Sequence, residues 1–299
     1  MERVLLIEGS KCRKNFPNLA LMKLSAYHKG KGDIVALNKM NNPDRVYISS
    51  PFSRPLSNLY IYNHKNIPTK IGGYGINGDK LPNDIEHIMP DYDLYGIDYS
   101  MGFTSRGCIN KCPFCVVPKY EGLIKNHQFV SEFLHPDHKK VILMDNSFTN
   151  SPKFKENSRY LIDKGIEVSI SQGINIRTLT EEKANILKEL KLKNWTFKAN
   201  KLYFAWDLMK DEELVRKGIQ ILLNAGFKKY MLSCYVLVNY NSTFEEDLYR
   251  CNTLWNEFGI LPFVMSYKGK HPLQRWANFR FIKYCDFKDF DYKKYKRKK

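Results

Sequence analysis

Short apolar runs alternate with helical patterns along most of this chain, and this alternation constrains the fold more than any other feature. After residue 97, apolar or β-branched runs occupy residues 98–104, 140–145, 166–171, 201–206, 230–238 and 260–265. Strands that alternate with helices pair in parallel, because each helix carries the chain back along the sheet. Six such units predict an α/β fold with a partial (β/α)6 TIM-like barrel, short of the eight units that close a full barrel.

The helical patterns between these runs have clear end signals. TEEKANILKELK opens on Thr180 and places acids in its first turn, and DEELVRKGIQILLNAG begins at Asp211 and stops at Gly226. Such caps and charges are typical of real helix ends. Ligands of parallel sheets bind at the carboxyl ends of the strands. We therefore look for functional side chains in the segment that follows each predicted strand.

The first third of the chain predicts a separate, smaller domain. Strand-like runs at residues 4–7, 33–37 and 46–50 accompany a helical pattern from Asn18 to Lys29. This order predicts a small Rossmann-like, doubly wound domain over residues 1–95, followed by the barrel over residues 96–299. The glycine-rich IGGYGING lies between a short strand and a loop instead of opening a helix, so it predicts no dinucleotide site.

The lengths of the apolar runs and the net charge limit where this protein is expected to be found and what it is expected to bind. No apolar run approaches the roughly 20 residues that cross a bilayer, and MERVLLIEG at the N-terminus lacks the features of a secretory signal. We therefore expect no membrane span and a cytoplasmic protein. The formal net charge is +17, and the chain ends in YKKYKRKK. Such an excess attracts polyanions, which makes nucleic acid a candidate partner; a solvated basic end is the alternative.

Three of the seven cysteines are concentrated in the stretch TSRGCINKCPFCVVP. Cys108, Cys112 and Cys115 have the spacing C-x3-C-x2-C, and a loop this short can fold three thiolates around one inorganic core. Structural zinc sites usually close four ligands, and iron–sulfur clusters also normally take four cysteines. Three protein ligands would leave one iron open. The remaining cysteines have no such spacing, and we expect them to be structural: Cys12, Cys234, Cys251 and Cys285.

This loop resembles the signature of the radical S-adenosylmethionine enzymes. The resemblance rests on the cysteine spacing, on Phe114 just before the last cysteine and on Arg106-Gly107 just before the first, and it covers roughly residues 96–299. It implies a six-unit partial barrel and a [4Fe-4S] cluster whose open iron is chelated by S-adenosylmethionine. It also implies reductive cleavage of that cofactor to a 5′-deoxyadenosyl radical, hydrogen abstraction from a substrate, and an electron donor such as a flavodoxin or ferredoxin.

The resemblance assigns further cofactor contacts to the strand ends. Asp145 and Asn146 match the polar pair that meets the cofactor's amino group, although the family's glycines are absent, and a helix cap is the alternative for Asp145. Arg177 could pair with the cofactor carboxylate or form a surface ion pair. Asp207 faces the barrel mouth or caps the next helix. The other assigned positions are Phe114, Ser171, Gln172 and Val236, the last of these on the adenine-supporting strand.

Near the last strand, Tyr267 and Arg275 are the predicted substrate contacts. Met265, Gln274, Trp276 and Asn278 lie beside them, and an aromatic stripe of this kind is more often core than a ligand site. The sequence predicts no particular substrate and no oligomeric state.

Residues 1–95 resemble an abbreviated form of the cobalamin-binding domain that precedes the barrel in one radical enzyme class. That family's D-x-H-x-x-G element is absent, and His28 lies in a helical pattern where a packed or an exposed side chain is expected instead of a ligand. We therefore expect a scaffold without cobalamin. The alternatives are a cobalamin-dependent radical methyltransferase and a non-catalytic metal-cluster module that binds nucleic acid.

Overall fold

A computed structural model describes residues 1–10, 12, 16–51 and 67–291. The basic end at residues 292–299 therefore lies outside the described residues. The helices and strands follow in chain order: β1 (Arg3–Glu8), α1 (Leu19–Gly30), β2 (Ile34–Leu37), β3 (Arg45–Ser49), β4 (Thr69–Gly72), α2 (Asn83–Glu86), β5 (Ser100–Gly102), β6 (Ser105–Arg106), α3 (Val117–Tyr120), β7 (Lys125–Asn126), β8 (Lys140–Leu143), α4 (Phe154–Asp163), β9 (Glu167–Ile170), α5 (Glu181–Glu189), β10 (Lys191–Leu192), β11 (Leu202–Ala205), α6 (Glu212–Asn224), β12 (Leu232–Val238), α7 (Phe244–Asn252), β13 (Leu261–Ser266) and α8 (Pro272–Asn278).

The chain divides into two compact units. The first comprises Met1–Phe103 and Gln128–Ile142, and the second comprises Thr104–His127 and Leu143–Lys299. The cysteine loop therefore belongs to the second unit, together with the segments that follow β8, β9, β11, β12 and β13.

The first unit contains a parallel sheet of order β2-β1-β3-β4. Residues of β1 alternate between two apolar clusters: Val4 and Leu6 pack with Leu21 of α1, whereas Leu5 and Ile7 pack with residues of β3. Both faces of β1 are thus buried, which is typical of a parallel sheet. The strands and helix predicted for the first 50 residues are confirmed; the doubly wound arrangement and the boundary at residue 95 stay predictions.

The second unit is also built on parallel strands. β12 is the centre of the sheet β11-β12-β13, and β10 pairs in parallel with β9. A parallel bridge from Ile174 to Phe204 joins the chain after β9 to β11. All six predicted runs contain a strand, namely β5, β8, β9, β11, β12 and β13. The prediction of an α/β fold with parallel sheets is confirmed. The strand pairings of the described residues show no closed barrel, and the partial (β/α)6 barrel stays a prediction.

Helix caps set the lengths of the connecting helices. Thr180 accepts a hydrogen bond from the backbone of Lys183 and caps α5, as predicted. The Thr243 side chain accepts a hydrogen bond from the backbone of Glu246 and caps α7, and the Glu246 side chain accepts from the backbone of Thr243 to complete a capping box. None of the helices within the described ranges is long and apolar enough to span a bilayer.

Candidate functional site

The three clustered cysteines lie in a loop that is closed at its base by a small hairpin. β6 and β7 pair antiparallel through Ser105 with Asn126 and Arg106 with Lys125. Inside this closure, the backbone N–H of Cys108 donates to the carbonyl of Gly122 (3.2 Å). The loop therefore returns to its starting point and holds its thiols on one compact segment.

Gly107 can be replaced by no other residue without moving the loop. Its φ is +84°, and a Cβ built there would lie 2.3 Å from the carbonyl oxygen of Leu123. Both the left-handed backbone and the close approach exclude a side chain. The glycine before the first cysteine is thus explained by the loop's own path.

Glu121 holds the two arms of the loop together. Its Oε2 accepts from the backbone N–H of Gly107 (2.8 Å) and from Nδ2 of Asn146 (2.9 Å), and its Oε1 lies 3.0 Å from the Arg106 guanidinium. Asn146, one of the predicted cofactor contacts, is therefore engaged by the loop. Glu121 was not predicted, because nothing in the local sequence indicates that this acid turns back onto the loop.

Asp145 anchors the segment that leads into the loop. Its side chain is fully buried, and its two oxygens accept from the backbone N–H and hydroxyl groups of Thr104 and Ser105 at 2.6–3.0 Å. Burial raises the pKa of Asp145, and these four hydrogen bonds oppose that rise. The alternative of a helix cap is wrong for Asp145, because its oxygens bind the chain before the cysteines.

The three thiols interact with one another through their charges. In a [4Fe-4S] cluster each cysteine thiolate binds a different iron, so three thiolates would leave one iron for another ligand. Burial raises the pKa of Cys115, and the negative charges of Cys112 and Cys108 raise it further. A cationic core between the sulfurs would offset this repulsion.

Arg177 contacts one of these thiols. Its Nη1 lies 2.8 Å from Asp211, and its Nη2 lies 3.7 Å from Sγ of Cys112. The predicted ion pair thus exists, but it is half-buried and turns the guanidinium toward the cysteine loop. The contact places a fixed positive charge beside the Cys112 thiol.

Asp207 follows β11 and carries an orphaned polar atom. Its Oδ1 is buried with no hydrogen-bond partner among the described residues. Burial raises the pKa of Asp207 to about 6, and the nearby charges of Arg250 and Arg177 act in the opposite direction. The N-cap of α6 is Asp211, so a capping role for Asp207 is not seen. A buried acceptor without a partner is a candidate contact for a ligand.

Arg250 fixes the backbone around Asp207. This fully buried guanidinium donates to the carbonyls of Trp206 (2.9 Å), Asp207 (2.7 Å) and Leu237 (2.8 Å), and it pairs with Asp247. The carboxyl ends of β11 and β12 are thereby tied together. Sequence reasoning missed Arg250, because an arginine in an amphipathic helix usually faces solvent.

The other predicted contacts are distributed along the same strand ends. Ser171 donates to the carbonyl of Leu143 (3.2 Å), Gln172 is exposed, and Val236 is fully buried within β12. Phe114 contacts Tyr240 with ring centroids 5.2 Å apart, and Tyr240 contacts Tyr267 at 4.7 Å. Tyr267 is therefore linked to the cysteine loop through one intervening ring. Arg275 stacks on Phe279 of the same segment at 3.9 Å.

The four scattered cysteines occupy ordinary environments. Cys234 and Cys251 are fully buried, and burial raises the pKa of Cys251 to about 12. Cys285 donates to the carbonyl of Phe281, and Cys12 donates to that of Ser10. These contacts agree with structural thiols.

One further group of potential metal ligands occurs among the described residues, in the first unit. It comprises Glu2, His28 and Asp33. Both oxygens of Glu2 bind Arg45, and the two ring nitrogens of His28 lie 2.8 Å from Asp33 and 3.1 Å from Tyr47. The group is therefore satisfied internally, and of the two side-chain environments expected for His28, packed or exposed, the structure shows the packed one.

The anchoring role of Asp145 gives a testable prediction. Asp145→Ala leaves four buried donors without an acceptor, and each unsatisfied group costs about 1–3 kcal/mol. We expect the free energy of unfolding in urea to fall by at least about 3 kcal/mol. Asp137→Ala is the control, because that side chain is 90% exposed. Equal stability of the two variants would show that Asp145 does not anchor the loop.

No known family model matches this chain, and a search of curated proteins finds no relative.

Proposed function

We propose that this protein is a radical S-adenosylmethionine enzyme. Cys108, Cys112 and Cys115 would hold a [4Fe-4S] cluster, and S-adenosylmethionine would complete its open site. When bound, the cluster supplies the electron that cleaves the sulfonium carbon–sulfur bond, and the product radical removes hydrogen from a substrate. One observation carries the proposal: three thiols with C-x3-C-x2-C spacing share one short loop that a hairpin closes at its base.

The surrounding side chains support this assignment through charge and rigidity. Arg177 would balance the negative charge at Cys112 while Asp211 holds its other edge. Asp207 offers a buried acceptor for a donor group of the cofactor, such as its ammonium. Asp145 and Glu121 would act as positioning residues, because their oxygens already bind the loop. The predicted contacts of Ser171, Gln172 and Val236 stay predictions.

The proposal also includes a fold, a cellular compartment and an electron donor. The six strands would belong to a partial (β/α)6 barrel, whose interior excludes water from a reactive radical. A reduced cluster and free thiols fit a cytoplasmic protein, which would receive electrons from a donor such as a flavodoxin or ferredoxin.

Anaerobic reconstitution with iron and sulfide tests the proposal directly. We expect about four irons and four sulfides per chain with broad visible absorption, and release of 5′-deoxyadenosine after S-adenosylmethionine and dithionite are added. Zinc binding without sulfide would refute the cluster. A reducible cluster that releases no 5′-deoxyadenosine would leave the non-catalytic module as the better account.

Single cysteine changes provide the matched controls. Changing Cys108, Cys112 or Cys115 to alanine should abolish cluster-dependent cleavage, because each removes one of three ligands. Cys12, Cys234, Cys251 and Cys285 should tolerate change to serine or alanine with the cluster retained. Loss of the cluster in one of these four variants, measured as iron per chain, would identify an additional ligand and contradict the three-ligand site.

Cobalamin retention tests the alternative chemistry. We expect the protein to retain no corrinoid, because both ring nitrogens of His28 are already engaged and the D-x-H-x-x-G element is absent. The protein is incubated with hydroxocobalamin, desalted, and its visible spectrum recorded before and after cyanide. Stoichiometric corrinoid after desalting would contradict this expectation and favour radical methylation.

A further inference from the structure

One face of the sheet β11-β12-β13 carries aromatic rings that no element of the described chain covers fully. Tyr203 and Tyr235 stack with centroids 5.5 Å apart and planes at 11°, and Tyr235 meets Phe263 edge-on at 5.8 Å. These contacts place one ring from each strand on the same face. Side chains alternate along a strand, so Met265 of β13 lies on this face as well. We call this side of the sheet, with Tyr203, Tyr235, Phe263 and Met265, the aromatic face.

The opposite face of the same sheet is ordinary core. Phe204, Cys234, Val236 and Val264 alternate with the residues of the aromatic face and are at most 1% exposed. On the aromatic face the exposed side chains belong to β13 and the residue after it: Phe263 is 46%, Met265 40% and Tyr267 45% exposed, whereas Leu237 of β12 is 8% exposed. Large apolar side chains on a regular strand are normally buried, and a contiguous exposed patch of them indicates a ligand surface.

The aromatic face reaches the cysteine loop at one end. Tyr267 follows β13 directly and contacts Tyr240, which contacts Phe114 beside Cys115. At about 3.3 Å per residue, the distance from Leu261 to Tyr267 is roughly 20 Å. The face is therefore long enough for several planar groups in a row, and its end lies next to the proposed site of chemistry.

Three basic residues lie near the other end of this sheet, before β11 and after α8. Lys201 immediately precedes β11, and burial lowers its pKa, with the positive charges of Arg280 and Lys283 adding to that effect. Lys201 donates to the carbonyl of Tyr230, and Lys283 lies over the Trp255 ring. Arg280 and Lys283 are exposed, and none of the three forms an ion pair with a carboxylate of the described residues. Like charges that remain close together without a counter-ion indicate an anionic ligand.

Asn278 holds this cationic segment against the sheet. Its side-chain oxygen accepts from the backbone N–H of Val264 (2.7 Å), and its side-chain nitrogen donates to the carbonyl of Val264 (3.0 Å). Arg280 follows two residues later. The segment that carries Arg280 is thus attached to β13 through the side chain of Asn278.

We infer that this aromatic face binds single-stranded nucleic acid, with bases stacked on Phe263 and Tyr267 and phosphates at Arg280 and Lys283. The inference that the bound strand is the substrate rests on the proposed function. The inference that the face binds a single strand does not. Stacking platforms beside a basic rim are how proteins hold unpaired strands, because every base has an apolar face. A duplex hides those faces, so it lacks the groups this surface would contact.

Fluorescence anisotropy with labelled oligonucleotides of mixed sequence tests the inference on the full chain without S-adenosylmethionine. Phe263→Ala and Tyr267→Ala should each weaken binding of a single strand at least about fivefold, since one base loses its stacking partner. Trp195→Ala is the matched control, because Trp195 is an exposed aromatic (41%) that lies outside this sheet. Circular dichroism checks that each variant is folded.

Salt dependence tests the cationic end. The double change Arg280→Gln and Lys283→Gln should reduce the slope of log affinity against log salt by about 1.4, since each of the two phosphate contacts on a single strand contributes about 0.7. The control is Lys153→Gln with Lys164→Gln, two exposed lysines elsewhere in the same unit. RNA and DNA strands of one sequence distinguish the two sources of the ligand.

Several results would overturn the inference. They are no binding at low salt, a preference for duplex, unchanged binding in both aromatic variants, or binding abolished by deleting residues 293–299 with the aromatic variants unaffected. A dimer that dissociates on Phe263→Ala would assign the face to self-association instead. Release of 5′-deoxyadenosine is measured without nucleic acid, so failure of this inference leaves the proposed function standing and the reverse also holds.

Discussion

The buried carboxylate of Asp145 is the contact on which the geometry of the cysteine loop depends. A carboxylate is costly to bury, and here four donors from two consecutive residues offset that cost. These residues enter β6, and β6 is one side of the hairpin that closes the loop. Any displacement of Asp145 would therefore move the base of the loop, and with it all three thiols.

Charged side chains also hold backbone segments together elsewhere in the second unit. Glu121 joins the arms of the loop, and Arg250 joins the carboxyl ends of β11 and β12 through three backbone carbonyls. Irregular backbone leaves donors and acceptors unpaired wherever strands stop. Buried ionic side chains satisfy them, so the site is rigid where regular hydrogen bonding ends. This rigidity would suit the reactive centre that we propose.

Local patterns were enough to predict most elements of the fold. The strands around Val141, Val168 and Val236 and the cap at Thr180 follow from apolar runs and short-range signals, and each forms where expected. The partners of Asp145 are 40 and 41 residues away in sequence. The pattern of apolar and polar residues around Asp145 does not predict a contact over that separation. The strand-end positions of candidate residues were thus predictable, while the groups they bind were not.

The aromatic positions near the last strand show the same limit. A stripe of aromatics usually indicates core, and Trp276 is indeed buried, but Met265 and Tyr267 are exposed. Alternation along a strand determines that two residues share a face, whereas burial depends on what covers that face. Only the packed structure decides between core and surface.

Asn278 has a consequence for behaviour at high concentration. Among the described strands, β13 lies at the edge of its sheet, and an open edge can recruit a strand from another molecule. The Asn278 side chain occupies both the donor and the acceptor of Val264, which are the groups that an incoming strand would need. One amide therefore acts as a local barrier to edge-to-edge aggregation, beside a face that is apolar enough to favour it.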